Sequence, residues 1–506
     1  MECNKIANPV NPPRLLNWIN KHPPAINFAG GALLNLAFAP LDFGVLAWVL
    51  LVPLLAAAES PSPGRRTACG LAFGLGLALP GVFWLVTTVH EHVGTGMVIA
   101  LGSWLLVAAY LSLYPACFAW LAGYPSLARW RWFTWPVLWA LLDDLRNQSF
   151  GGNPWLHLGY TQVNLPLSGY VPILGATGAG AVVVLLNLAL LHSLQARRIG
   201  PRVAALAGAA SMVLTGLALG AVHWSRPIGA PVPLALLHTA TQQADKDDRK
   251  SQGLWLSRYI QATKQLIDAG TTLVVWPETA SGQLRSAIQP QLDALNEYAV
   301  ARNASVVMGV LESDPRSRIF NSVITLGEAG GQRYRKHHLV LLGEYVPAWM
   351  ASKVRWAPGS PRYAEGMGPS VVYAVQTTLG IGVYWEASFA RDMRIAATQG
   401  ANVLFNLAND AWFSDTTLPQ RNAVHARMRA LELSRPMARA ANLGPSLAAG
   451  PRGELLAQTS AENWSILHVT VQPQTGQTPF AILGPDGVQL SFAVLLFIGW
   501  MAGRRQ

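Results

Sequence analysis

The first half of the chain is a series of long apolar stretches separated by short polar joints. The second half alternates short β-branched runs with amphipathic ones. Crossing a bilayer as a helix takes roughly 17–25 predominantly apolar residues. Eight segments are apolar enough to cross or enter one: Ala25–Pro40, Phe43–Ala58, Gly70–Val89, Gly96–Ala122, Trp132–Leu142, Val171–Leu194, Val203–His223 and Val488–Ala502. The first, second, fifth and last are short. In the second half, Pro233–Leu237, Thr272–Val275, Ala304–Val310, Ser322–Leu326, Ser370–Ala374, Gly380–Tyr384, Val403–Leu407 and Ile466–Val471 read as strands. Trp255–Ala269, Gln289–Arg302 and Gln420–Arg435 read as helices. Strands alternating with helices predict a packed α/β sheet with helices outside it.

Charge adds orientation to this pattern. Arg65 and Arg66, Arg129 and Arg131, Arg197, Arg198 and Arg202, and finally Arg504 and Arg505 occupy alternate connections between the apolar segments. The positive-inside rule places all of them in the cytoplasm, together with Lys5, Arg14 and Lys21 near the start of the chain. The same alternation sends Ser225–Gly487 to the opposite side, the periplasm of a bacterium with two membranes. The expected organisation is therefore a transmembrane helical domain over 1–224, an extramembrane domain over 225–487, and a last membrane helix with a short tail over 488–506. A soluble reading of the short segments, as buried helices, remains open.

Composition agrees with a membrane protein that carries a soluble part. Of 506 residues, 51% are hydrophobic and only 12% charged, about half the usual globular share of charge. The net charge of +11 is spread between apolar spans, and no basic helix or nucleic-acid motif gathers it, so no nucleic-acid partner is expected. The three cysteines, Cys3, Cys69 and Cys117, all lie early and show no metal-ligand spacing. The extramembrane domain therefore has neither a disulfide nor a thiol of its own. The opening segment, polar and proline-containing, does not read as a cleaved signal peptide.

Three segments of the second half carry candidate chemistry. Leu273-Val274-Val275-Trp276-Pro277-Glu278 is an apolar run ending on a carboxylate. Tyr334-Arg335-Lys336-His337-His338-Leu339 sets a lysine before the Gly343-Glu344-Tyr345-Val346-Pro347 turn. Gly380-Ile381-Gly382-Val383-Tyr384-Trp385-Glu386 again ends on a carboxylate. A carboxylate at the end of a buried strand suits a general base, because desolvation raises its pKa toward neutrality. Taken alone, Glu278 reads better as a surface residue after an edge strand, and Lys336 as part of a solvated basic run. The apolar Leu339–Leu342 that follows Lys336 instead leads this loop into an interior.

Together these segments resemble the Glu–Lys–Cys constellation of the carbon–nitrogen hydrolase (nitrilase) superfamily, and in particular its membrane-bound branch, the apolipoprotein N-acyltransferases. The resemblance implies a four-layer αββα sandwich, with Glu278 as base, Lys336 as oxyanion partner, and Glu344 and Glu386 as supporting carboxylates. Asn406-Leu407-Ala408-Asn409-Asp410-Ala411-Trp412-Phe413 is similar to the family's loop forming a wall of the cleft. Met428-Arg429-Ala430-Leu431-Glu432 with Arg435-Pro436 matches the helix after it, and Asn442 with Gly444 the next strand. In the membrane half, Pro154-Trp155 and Gly159-Tyr160 with Gln162 also match. Two departures stand out: His238-Thr239-Ala240 replaces a Gln-Gly-Asn motif, and Tyr384 occupies the position of the nucleophilic cysteine.

What the resemblance implies is a two-step transfer in the inner membrane. A phospholipid gives an acyl chain to the nucleophile, and the α-amine of a diacylglyceryl-cysteine apolipoprotein takes it as an amide, with neither metal nor cofactor. Tyrosine changes the expectation, since a phenol has a pKa near 10 against about 8.5 for a thiol. Lys336 is expected to lower that value, and Glu278 and Glu386 to raise it. Ser388 is a substitute nucleophile with no histidine evident beside it. Three readings follow: an acyltransferase working through Tyr384, a catalytically impaired relative that binds lipid or lipoprotein, and a hydrolase of a soluble nitrogen compound. The membrane half argues against the third.

Overall fold

A computed structural model describes residues 23–92, 94–149, 152–341, 343–346, 363–368, 370–459 and 463–504. Cys3, Lys5, Arg14, Lys21, Leu342, Pro347 and Arg505, all used in the sequence reading, lie outside the described residues.

The amino-terminal half is helical: α1 (Pro23–Leu34), α2 (Val52–Ala58), α3 (Pro63–Gly81), α4 (Met97–Ala122), α5 (Arg131–Gln148), α6 (Val171–Gln195) and α7 (Ile199–Gly220). Small residues let these backbones touch, as membrane-helix packing favours. A Cβ on Gly76 of α3 would lie 2.0 Å from the Phe28 carbonyl oxygen of α1.

The expectation of eight spans is not supported. Among the described residues, four helical segments are long and apolar enough to cross a membrane: Met97–Ala122, Pro166–Gln195, Ile199–Gly220 and Pro479–Arg504. A fifth arises if Pro63–Gly81 and Trp84–Glu91, bent by 51° at their junction, count as one span. The physical reasons differ by segment. Ala25–Pro40 stops as an α-helix at Leu34 and adds only a 3-10 turn over Asn35–Ala37. Phe43–Ala58 is split into a 3-10 turn and the seven residues of α2, which rise about 10 Å against a hydrocarbon core of about 30 Å. Trp132–Leu142 lies in α5, whose Asp143 and Arg146 form a buried ion pair at 2.5 Å. Hydropathy reports that these stretches are apolar but not that their helices are short, broken or followed by buried charge. Several of their large apolar residues, among them Phe28, Leu33, Phe43, Val45, Trp132 and Phe133, remain exposed.

The second half contains two mixed sheets. The first is built from β1 (Val232–His238), β2 (Leu273–Val275), β3 (Ser305–Ser313), β4 (Ile319–Gly327) and β5 (Arg333–Arg335). The second is built from β6 (Val371–Ala374), β7 (Thr377–Val383), β8 (Val403–Asn409), β9 (Met437–Asn442), β10 (Leu447–Ala449) and β11 (Leu455–Gln458). A last strand, β12 (Ser465–Val471), returns to the first sheet, giving the spatial orders β12-β1-β2-β3-β4-β5 and β11-β10-β9-β8-β7-β6. Each sheet has a parallel centre (β1-β2-β3; β7-β8-β9) flanked by antiparallel pairs. Parallel strands buried on both faces read as continuous apolar runs, which is why these strands were legible.

The layers follow from what each face touches. Leu234, Leu236, Val275 and Val307 of the first sheet share one core with Ile381, Val383, Phe405 and Ala440 of the second. The outer face of the first sheet packs on α8 (Arg249–Asp268) and α9 (Gln289–Val300) through Tyr259, Leu266, Leu292 and Leu295. The outer face of the second packs on α10 (Ala390–Thr398) and α11 (Leu418–Leu433) through Met393, Ala396, Ala430 and Leu433. The result is an αββα sandwich. The final helix, α12 (Pro479–Arg504), starts earlier than the sequence suggested and turns at Gly484, φ 72°. Its first turns join the core of the second sheet through Phe480 and Ala481.

Candidate active site

Glu278 stands where the two sheets meet. Strand β2 ends at Val275, and Glu278 follows within three residues; Gly309 on β3 leaves room for that turn, since a Cβ there would sit 2.6 Å from Glu278 Cα. One carboxylate oxygen, Oε1, accepts from Asn321 Nδ2 at 2.6 Å and from Lys336 Nζ at 3.3 Å. The other, Oε2, accepts from the Asn409 backbone N–H at 2.8 Å, at the end of β8 in the opposite sheet. The surface alternative for this residue is excluded: Glu278 is 5% exposed. Burial pushes its pKa up, the Lys336 charge opposes that, and the Glu344 charge adds to it.

Lys336 follows β5 and is 1% exposed, so it is not part of a solvated basic run. Its ammonium donates to Glu344 Oε1 at 2.8 Å as well as to Glu278. Burial favours the neutral amine, but the charges of Glu278 and Glu344 more than offset it and hold the lysine protonated. Glu344 is itself fixed by the Val340 N–H on Oε2 at 2.8 Å. Asn321, which sequence reasoning missed, joins the set by reaching both carboxylates, at 2.6 Å and 3.4 Å. Its signal was a buried amide within strand β4. Lys246 is a second missed neighbour, donating to the Glu278 and Thr279 carbonyls at 3.2 and 3.3 Å.

Tyr384 lies just beyond β7, which ends at Val383 rather than including it. It opens a 3-10 turn over Tyr384–Ser388 with φ +53°. A non-glycine residue in this region costs about 1–3 kcal/mol and persists only where its surroundings impose it. Here Asn406 Nδ2 donates to the Tyr384 carbonyl at 2.8 Å and to the Gly382 carbonyl at 3.2 Å. Arg439 hydrogen-bonds Asn406 and pairs with Asp410 at 2.5 Å. The ring stacks on Phe413, centroids 6.0 Å apart and planes within 8°. Burial pushes the phenol well above its ordinary pKa, the Asp410 charge adds to this, Asn422 opposes it, and Glu278 adds again. Lys336 stands over the ring face, 5.3 Å from the centroid.

Glu386 is fully buried and faces away from this pair. Its Oε1 accepts the His337 and His338 backbone N–H groups at 2.8 and 3.0 Å, and its Oε2 accepts Tyr334 Oη at 2.8 Å and the Val383 N–H at 2.7 Å. It therefore ties the lysine loop to the turn that starts at Tyr384. Burial alone would raise its pKa; hydrogen bonding and charge from His337 bring it below the ordinary value. Ser388 does have a histidine beside it, contrary to the sequence reading: its Oγ lies 2.7 Å from His425 Nδ1, supplied by α11. The two are remote in sequence, which hid the pair.

The amino-terminal helical half reaches this region through aromatic contacts. Trp155 stacks with Trp385 at 6.4 Å, Trp84 meets Phe413 edge-on at 5.6 Å, and Tyr160 stacks with His425 at 4.2 Å. Arg421 of α11 donates to the Gly81 carbonyl at 2.7 Å. An aromatic wall thus runs from the Tyr384 ring to the helical half.

A carboxylate at a strand end, a buried lysine and a strained turn after the opposite strand, set in an αββα sandwich, define a domain of the carbon–nitrogen hydrolase class. Residues 239–480 match that family, "Carbon-nitrogen hydrolase". Residues 30–189 match the "Apolipoprotein N-acyltransferase N-terminal domain". The chain belongs to the apolipoprotein N-acyltransferase family. It is 31% identical to the apolipoprotein N-acyltransferase of Methylococcus capsulatus, over 90% of this chain and 91% of that protein. It is also 31% identical to that of Nitrosomonas europaea, over 95% and 98%. Among solved structures it is similar to Saccharomyces cerevisiae Nit3, a nitrilase-superfamily member, with 18% identity, 49% of this chain and 93% of that chain covered, and a TM-score of 0.38.

Proposed function

We propose that the chain moves an acyl chain from a membrane phospholipid to the α-amine of the diacylglyceryl-cysteine that begins an apolipoprotein. Glu278 is the general base, Lys336 the oxyanion partner, and Tyr384 the nucleophile; Glu344 and Glu386 hold them in place. The observation that carries this reading is the buried Lys336–Glu278 pair at 3.3 Å beside the strained Tyr384 turn. The relatives named apolipoprotein N-acyltransferase, aligned over 90% and 95% of the chain, support acyl transfer over the impaired alternative.

In the first step, the phenolic oxygen attacks the phospholipid ester carbonyl while its proton passes to Glu278. Lys336 stabilises the oxyanion, a role for which preorganised charge is commonly the largest catalytic term. The ester C–O bond then breaks, and Glu278 returns the proton to the departing lysophospholipid oxygen. In the second step, the α-amine attacks the acyl-tyrosine, an activated aryl ester. The amide forms, the amine proton goes through Glu278, and Tyr384 regains its own.

The same reading places 1–224 and 488–506 in the bacterial inner membrane and 225–487 in the periplasm. Its support is local and independent of the total span count. Arg198 and Arg202 lie at the start of α7 and Arg504 at the end of α12, so the basic ends of the two apolar helices flanking the sandwich lie on one side. The domain between them then lies on the other side. The test is phospholipid-dependent acylation of a diacylated lipopeptide by the purified full chain. A peptide gaining one acyl mass, with at least a hundredfold loss in Glu278→Gln, is the expected result. No peptide acylation by the folded wild type would overturn the reading.

A further inference from the structure

The loop carrying Lys336 continues into two histidines that meet a carboxylate from another element. His337 Nε2 and His338 Nε2 each lie 3.2 Å from the same oxygen, Asp392 Oδ2, in the first turn of α10. The three ligand atoms fall within 4.8 Å of one another. Although these separations are short, neither is aligned as a hydrogen bond: His337 Nε2 and Asp392 Oδ2 are both buried with no hydrogen-bond partner. His337 and Asp392 face each other as an ion pair with no aligned hydrogen bond, so the buried imidazole nitrogen and carboxylate oxygen keep lone-pair positions that a bound cation would satisfy. Ligands at 2.0–2.1 Å around a tetrahedral zinc ion stand about 3.3 Å apart, close to the two separations from Asp392 Oδ2.

The outer surroundings fit as well. His337 Nδ1 lies 2.9 Å from Glu386 Oε1. With its proton on Nδ1, shared between Glu386 Oε1 and Tyr334 Oη, which also lies 2.9 Å away, the imidazole presents a lone pair at Nε2, the carboxylate–histidine–metal arrangement that fixes tautomer and ring orientation. His337 and Asp392 are nearly enclosed, with side chains 9% and 6% exposed, while His338, at 34%, opens the cluster to solvent. That gives ions an entry path and leaves a fourth position for water.

From these contacts we infer that His337, His338 and Asp392 form a binding site for a divalent transition metal of the zinc class, with Glu386 orienting His337. The site's role is structural. It clamps the loop bearing Lys336 to the helix that follows the Tyr384 turn, outside the reacting centre. On binding, the ion takes the Nε2 lone pairs of two neutral imidazoles and one carboxylate oxygen, and any proton on those nitrogens is released to solvent. The sequence did not suggest the site, because its third ligand is far from the His-His pair and no cysteine takes part.

The experiment is a titration of the tag-free full chain in detergent with Zn2+ by calorimetry, repeated with Co2+ to read the visible bands of a four-coordinate site. One ion per chain, removable by chelator, is expected. Asp392→Asn and His338→Ala should each weaken binding by more than the 10–100-fold typical of losing an outer-shell partner, and Glu386→Gln by about that amount. Failure of the wild type to bind a stoichiometric ion overturns the inference even if the variants do not fold. Unchanged affinity in folded Asp392→Asn and His338→Ala also overturns it.

Discussion

The ammonium nitrogen of Lys336 lies over the face of the Tyr384 ring, 5.3 Å from its centroid, while its hydrogen bonds go to Glu344 and Glu278. This geometry gives the tyrosine a role that its pKa alone does not. A cation over a desolvated ring gains about 2 kcal/mol, so Tyr384 holds the lysine in place. The phenol remains protonated until a base removes its proton, and Glu278, whose own pKa is raised, is the base the reading assigns. Tyrosine at this position thus keeps the site assembled at the expense of nucleophilicity.

Lys336→Met removes the buried ammonium that bridges Glu278 and Glu344. Breaking a buried pair from one side typically costs about 3–5 kcal/mol, and losing an oxyanion partner about 100- to 1,000-fold in rate. The expected outcome is a lower thermal midpoint together with loss of peptide acylation. A variant that keeps full activity would remove Lys336 from the reacting centre.

The pH profile carries the sign of the Glu278 shift. Its raised pKa means the active carboxylate form is lost as pH falls through a value above the ordinary 4.5. Activity should therefore show an acid limb above pH 4.5. Glu344→Gln removes a negative neighbour that raises that pKa, so the limb should move to lower pH in a rate-versus-pH series. A shift to higher pH would mean another group limits the rate.

Much of the sandwich was legible because its central strands are buried on both faces and therefore read as unbroken apolar runs. Strand β9 was harder, since Arg439 and Asn442 sit within it, fully buried and hydrogen-bonded to Asp410, Asn406, Asn409 and Thr241. The motif positions Glu278, Lys336, Glu344 and Glu386 could be singled out by resemblance. Two groups that orient them, Asn321 and Lys246, could not, because each acts across a distance that only folding closes. The helical half failed differently: hydropathy reports an apolar segment but not where its helix ends or breaks, as at Leu34 and between the turn at Gly44–Trp48 and α2.

Gly309→Ala tests how tightly the base is placed. The added Cβ would lie 2.5 Å from the Pro277 carbonyl oxygen and 2.7 Å from Thr279 N, both backbone atoms, so the Glu278 turn must shift. Misplacement by about an ångström costs on the order of 100-fold in rate. Steady-state acylation should fall by about that much while the protein stays folded by circular dichroism.

Arg439→Met should act on stability first. It leaves Asp410 buried without its partner and frees Asn406 from the contact that orients it toward the Tyr384 carbonyl. The expected cost is about 3–5 kcal/mol, read as a drop in thermal midpoint. Replacing both, as Arg439→Met with Asp410→Leu, should recover part of it.

The central claim is that acyl transfer runs through Tyr384, and mapping the acyl-enzyme tests it most directly. The full chain is incubated with phospholipid, digested and analysed by mass spectrometry, then chased with diacylated lipopeptide; Tyr384→Phe, Tyr384→Cys and Ser388→Ala are run beside it. The account predicts an acyl ester on Tyr384 that disappears as triacylated peptide forms, no transfer by Tyr384→Phe, unchanged mapping in Ser388→Ala, and at least roughly tenfold faster transfer by Tyr384→Cys, whose thiol ionises more readily. Peptide acylation that survives Tyr384→Phe, or an adduct mapping to Ser388 beside His425, would contradict it.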